Sequence, residues 1–117
     1  MKYLLFASMI FLSCTVEAQD QNSNEASEKV IIDNDKMKVV EFDSMPQGNV
    51  CGAGIHHHEP HLTVLLSDAK VQITAENGES QIVEAPSGMS IWSESETHSV
   101  INKGDQPTKM LLVYLKE

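Results

Sequence analysis

The chain is short of positive charge, cysteine, aromatic residues and long apolar runs, and each shortage closes off a class of function. Among its 117 residues, eight lysines and no arginine stand against seventeen acidic side chains, giving a net charge of −9. Nucleic acid is held through clusters of Lys and Arg on phosphate. None occurs here, so nucleic acid is excluded as a partner. The same balance argues against an anionic membrane surface as the main partner of the folded domain. A membrane-spanning helix needs about 20 consecutive apolar residues, and the apolar run from Tyr3 to Leu12 is too short. No segment keeps apolar residues at i, i+3, i+4 and i+7 long enough to predict a helix. With aromatics at 5%, a chain of this length supports one small domain with one core.

Met1-Lys2 followed by Tyr3–Leu12 has the layout of a secretory signal. Residues 1–18 are read as that signal, with Val16-Glu17-Ala18 as a small-x-small cleavage site. Leu12-Ser13-Cys14 offers a second reading, because it resembles a bacterial lipobox, although Phe11 stands where such motifs usually carry Leu. Cleavage there would leave Cys14 as a lipid anchor. The polar stretch 19–28 reads as a disordered linker, and residues 29–117 as the domain. The expected location is therefore outside the cytoplasm: periplasmic, secreted or tethered as a lipoprotein. Cys51 is then the one thiol of the mature domain, and an internal disulfide is excluded. It reads either as a small buried hydrophobe or as a reactive or metal-binding thiol near the histidines.

What the chain does have is a succession of short β patterns. Val30–Ile32, Met37–Phe42, Val50–His56, Leu62–Leu66, Lys70–Thr74, Ser80–Glu84, Met89–Trp92, His98–Asn102 and Met110–Leu115 read as strands. Between them lie turn clusters such as Asp33–Lys36, Pro46–Asn49 and Asn77-Gly78, the last a strong hairpin signal. Ser93–Thr97 reads as a polar bend. Many short strands at regular spacing predict an all-β sandwich or closed barrel, with any site inside it or at its mouth.

Four of the five histidines fall in one short stretch, His56, His57, His58 and His61, and the fifth is His98. Imidazole is the commonest metal ligand. A His-x-His pair on a strand puts two rings on one side, with Cα atoms about 7 Å apart. His56 and His58 form that pair, His57 points the other way, and His98 is the one candidate outside the cluster. His61 follows Pro60, so strand parity does not give its direction. Imidazole donors suit Zn, Fe, Cu or Ni as a divalent cofactor better than Mg or Ca, and manganese enters only with an oxygen donor beside them. The competing readings are a surface His patch and, for His98, a hydrogen-bonded histidine ending a strand.

These residues resemble the cupins, whose two motifs run G-x5-H-x-H-x3,4-E-x6-G and G-x5-P-x-G-x2-H-x3-N. His56-x-His58 fits the first motif, and Gly88 with His98-x3-Asn102 fits the second. The likeness covers the domain after the linker. It implies a double-stranded β-helix (jelly-roll) barrel and, in the small single-domain members, a homodimer. It also implies a metal site, which in the family uses three His and one Glu. Here the Glu position falls at Leu62 or Thr63, and the Pro and Gly of the second motif fall at Glu94 and Glu96. The ligands carried over are thus His56, His58 and His98, filled out by His61 or water.

Two classes of function follow. One is an enzyme on a small molecule: a dioxygenase, or a metal-assisted hydrolase or isomerase. The other is a non-catalytic module that binds or senses a small molecule. Leu62, Val64, Ile91 and Trp92 are the expected apolar lining, and Met89 reads as core or pocket. Glu94 and Glu96 read as solvated charges or, if the bend folds over the mouth, as a general base.

Overall fold

The structure is a computed structural model that describes residues 26–117. The expected signal 1–18, the cleavage points at Ala18 and Cys14, and most of the expected linker lie outside the described residues. Nine strands follow one another: β1 Ser27–Asp33, β2 Met37–Ser44, β3 His56–His58, β4 His61–Leu65, β5 Ala69–Ala75, β6 Ser80–Ala85, β7 Ser90–Ser93, β8 Glu96–Asn102 and β9 Thr108–Leu115. β1 opens at Ser27, inside the stretch 19–28 read as linker.

The strands form two antiparallel sheets, ordered β1-β2-β9-β4-β7 and β3-β8-β5-β6. Neighbours such as β2 and β9, or β5 and β8, are not consecutive in sequence, and apart from the hairpins β1–β2 and β5–β6 every pairing crosses over intervening strands. This is the jelly-roll arrangement, which buries one face of each sheet against the other. Alternation sets those faces. Val40 and Phe42 of β2, Leu65 of β4, and Met110 and Leu112 of β9 meet Val71 of β5 and Val100 of β8 in a single core.

The turn chemistry follows the sequence. Asn34 caps its own turn by accepting the Lys36 and Met37 amides on Oδ1. Gly78 closes the β5–β6 hairpin at φ 91°, a conformation that favours glycine.

One expected strand does not form. Val50–Ile55 is a run of bends, and only His56–His58 is strand. The physical reason lies in Gly52 (φ 151°) and Gly54 (φ 53°), which turn the chain out of the extended conformation. Val50 and Cys51 consequently fold into the core. A second difference lies at β8, which begins at Glu96 instead of His98, so the polar bend is shorter than expected.

The Asn of the second motif serves the fold. Asn102 is fully buried. Its Nδ2 donates to the carbonyls of Ser44 (3.2 Å) and Gln106 (2.9 Å), and its Oδ1 accepts from the Gly104 amide (2.9 Å). It thereby ties β2, β8 and the turn before β9 together. Replacing it by alanine strands buried partners, so Asn102→Ala should cost about 2–4 kcal/mol in urea denaturation. A cost under about 1 kcal/mol would contradict this role.

Candidate metal centre

β3 and β8 are paired so that His56 lies directly opposite His98 and His58 opposite Glu96. Strand alternation then puts His56, His58, Glu96 and His98 on one face, turned toward β4 and β9. The ring centroids of His56 lie 4.6 Å from those of His58 and 4.9 Å from those of His98. Gly52 makes the close approach of His56 workable, because a Cβ at that position would stand 2.9 Å from the ring's Cγ. His57 projects to the other side, exposed, with its Nδ1 2.8 Å from Thr97 Oγ1.

Of the two readings of Cys51, a small buried hydrophobe or a metal-binding thiol near the histidines, the structure gives the second its geometry, because the thiol joins the three rings. The Cys51 Sγ lies 3.3 Å from His56 Nε2 and 3.8 Å from His98 Nε2. One donor atom each from Cys51, His56, His58 and His98 fall within 4.8 Å of one another. His61 stands outside that group. It is buried, its ring is 5.1 Å from that of His58, and its Nδ1 donates to the Glu59 carbonyl at 2.7 Å.

Two of the three clustered rings, His56 and His58, have a hydrogen-bond partner on Nδ1, the pattern that fixes the tautomer of a metal-ligating histidine. For His56 it is the Gly54 carbonyl (2.9 Å), and for His58 the Tyr114 hydroxyl (2.8 Å). Near Nδ1 of His98 a Glu96 oxygen lies at 3.7 Å, an ion-pair separation longer than a hydrogen bond, and the other oxygen of this carboxylate is 3.6 Å from His61 Nε2. The Nε2 of His58 is buried without a hydrogen-bond partner among the described residues. A buried polar nitrogen left unpaired is costly, and one on a ring clustered with three further donors fits a cation.

The electrostatics agree. Burial, reinforced by the neighbouring imidazoles, pushes His58 down to about 3 and His98 down to about 4. Both are therefore neutral, as a ligand must be. Burial and then the Glu96 charge push the Cys51 thiol up to about 12. A bound cation reverses that preference and deprotonates a coordinating thiol. Tyr114 is likewise raised to about 12, chiefly by burial.

Beside the cluster lies a cavity of about 160 Å³, lined by apolar side chains such as Leu65, Val71, Ile73, Val100 and Leu112, together with His58, His61, Glu96 and His98. A wider groove of about 500 Å³, bordered by Asp68, Lys70, Glu84 and Asp105, contains none of the histidines. The expected lining needs correction. Of Leu62, Val64, Ile91 and Trp92, only Ile91 borders the histidine-lined cavity. β4 turns His61, Thr63 and Leu65 inward, which sends Leu62 and Val64 to the other face. Thr63 rather than Leu62 therefore holds the inward position where the motif carries Glu. Trp92 and Met89, expected in the core or pocket, are 51% and 45% exposed. The Trp92 indole donates to Glu94, which keeps that carboxylate at the surface.

No family model and no curated protein matches the chain. Solved structures do. A cupin domain from Bordetella pertussis superposes with a TM-score of 0.71 at 26% identity, over 80% of this chain and 95% of the other. By fold the chain is a cupin. A cupin with a double-stranded β-helix fold from Methanocaldococcus jannaschii matches with a TM-score of 0.60 at 8% identity, covering 83% of this chain and 85% of the other chain. The polyketide cyclase RemF of Streptomyces resistomycificus matches with a TM-score of 0.59 at 22% identity, over 79% and 66% of the two chains.

Proposed function

We propose that this chain is an exported cupin enzyme that holds one divalent transition ion through His56, His58 and His98 and acts on a small, largely apolar molecule in the adjoining cavity. The observation that carries the proposal is the buried Nε2 of His58, unpartnered among the described residues, in a ring centred 4.6 Å from that of His56 and 5.5 Å from that of His98. The charged start and apolar run of the chain support export.

When bound, the ion would supply a Lewis acid to an oxygen or similar group of the substrate. The protein's own residues do the rest. With the Nδ1–H of His58 donated to Tyr114, the lone pair of Nε2 is kept inward. The Gly54 carbonyl does the same for His56. Glu96, on the cavity wall between His61 and His98, is placed to take a proton from the substrate and return it. The apolar walls exclude water. A cavity of about 150 Å³ accommodates benzene, so a space of about 160 Å³ sets the scale of the buried part of the substrate.

The test is turnover of small phenols, diketones and thiols by protein loaded in turn with zinc, iron, manganese, copper and nickel. Turnover that is lost in His56→Ala and His98→Ala supports the enzyme. Oxygen consumption coupled to it identifies a dioxygenase, and anaerobic turnover a hydrolase or isomerase. No turnover with any metal, together with stabilisation by the same compounds that survives chelation, would show a non-catalytic binding module instead.

A further inference from the structure

We infer that Cys51 is the fourth donor of the metal centre, making a three-imidazole, one-thiolate set that takes zinc or copper in preference to iron or manganese. This rests on the three-histidine reading above and adds to it a ligand and a metal preference.

Three observations lead there. Zinc–nitrogen bonds of about 2.0–2.1 Å and zinc–sulfur bonds of about 2.3 Å give a tetrahedron with edges of roughly 3.3–3.6 Å. The two separations from Cys51 Sγ, 3.3 Å to His56 Nε2 and 3.8 Å to His98 Nε2, are close to such edges. Next, the rival fourth donor is on the wrong side. The Glu96 carboxylate lies nearest Nδ1 of His98, whereas the thiol lies nearest Nε2. Glu96 therefore supports His98 from behind, as outer carboxylates do in metal sites. Finally, a cysteine buried only as a small hydrophobe would be surrounded by apolar atoms. Cys51 instead meets two imidazole nitrogens and lies within 4.8 Å of a donor nitrogen of His58, a ring whose Nε2 is buried and unpartnered among the described residues.

The chemistry of the set decides the ion. Thiolate is a soft donor that selects zinc and copper, while manganese prefers oxygen. As the sulfur–metal bond forms, the thiol proton leaves to solvent. Four protein donors fill the usual tetrahedron of zinc, so a small molecule from the cavity would have to enter as a fifth ligand or displace one of the four.

Loading with cobalt(II), a spectroscopic stand-in for zinc, tests this without reference to activity. The full chain should bind one equivalent and show both the visible bands of a tetrahedral ion and an intense near-ultraviolet thiolate-to-cobalt charge-transfer band. Cys51→Ser should keep the visible absorption but lose the charge-transfer band. Cys14 is present in both proteins and so controls for adventitious thiol binding. In competition, Cys51→Ser should lose at least about tenfold in zinc affinity while losing less for iron(II). Stoichiometric cobalt binding by the wild-type chain without a charge-transfer band would overturn the cysteine ligand and leave the three-histidine site standing. No cobalt binding at all would overturn both.

Discussion

His98→Ala lowers the affinity of the protein for a divalent transition ion by at least about tenfold. Loss of a mere supporting partner around a metal commonly costs 10- to 100-fold, and His98 is a candidate donor. It is buried, brought opposite His56 by the β3–β8 pairing, and kept neutral by burial. His56→Ala and His58→Ala should lose as much. His57→Ala should change nothing, since its ring lies on the outer face with Thr97. Competition with a chromophoric chelator measures all four. A protein that tolerates His98→Ala but not His57→Ala collects metal on a surface patch.

The second large effect is on the stability of the metal-free protein in acid. An unfolded imidazole titrates near 6.5, whereas burial holds His58 at about 3 and His98 at about 4 in the folded state. Between about pH 4 and 6.5 the unfolded chain thus binds protons that the folded chain refuses. Stability rises with pH across that window, by up to about 1.4 kcal/mol per pH unit for each proton. It is fully present above about 6.5 and is lost as pH falls toward the folded values. The loss reaches several kcal/mol, comparable with the roughly 5–15 kcal/mol that holds a domain folded. Urea midpoints in the presence of chelator should therefore fall steeply from pH 7 to pH 5. The fall should be shallower in His58→Gln, and much reduced when one equivalent of zinc is bound. A midpoint independent of pH over that range would contradict the buried, neutral state of these rings.

Much of this centre is legible in the residues themselves. The period of two along a strand pairs His56 with His58 and sends His57 outward, and the structure places the rings that way. The strand count and the hairpin at Asn77-Gly78 follow from local chemistry. For Cys51 the sequence left two readings open, a buried hydrophobe and a metal-binding thiol, and strand parity counts against the second. Five positions separate it from His56, so one continuous strand would put the thiol on the opposite face. Gly52 and Gly54 break the period and fold it back. Glu96 was hidden by the polarity of Ser93–Thr97, which reads as a bend. Once β8 is taken to start at Glu96, parity places that carboxylate beside His98. The misplaced lining has a related cause: Pro60 obscures the phase of β4, and with His61 inward it is Thr63 and Leu65, not Leu62 and Val64, that face the cavity.

The central claim is a transition-metal centre built from His56, His58 and His98 inside the barrel. The measurement that tests it most directly is the metal content of the mature protein, purified without a histidine tag and never exposed to nickel resin, beside that of His98→Ala purified in the same way. The account predicts close to one transition ion per chain in the native protein and little in the variant. A native protein free of metal that takes none up on dialysis, or a variant that keeps its full complement, would contradict it.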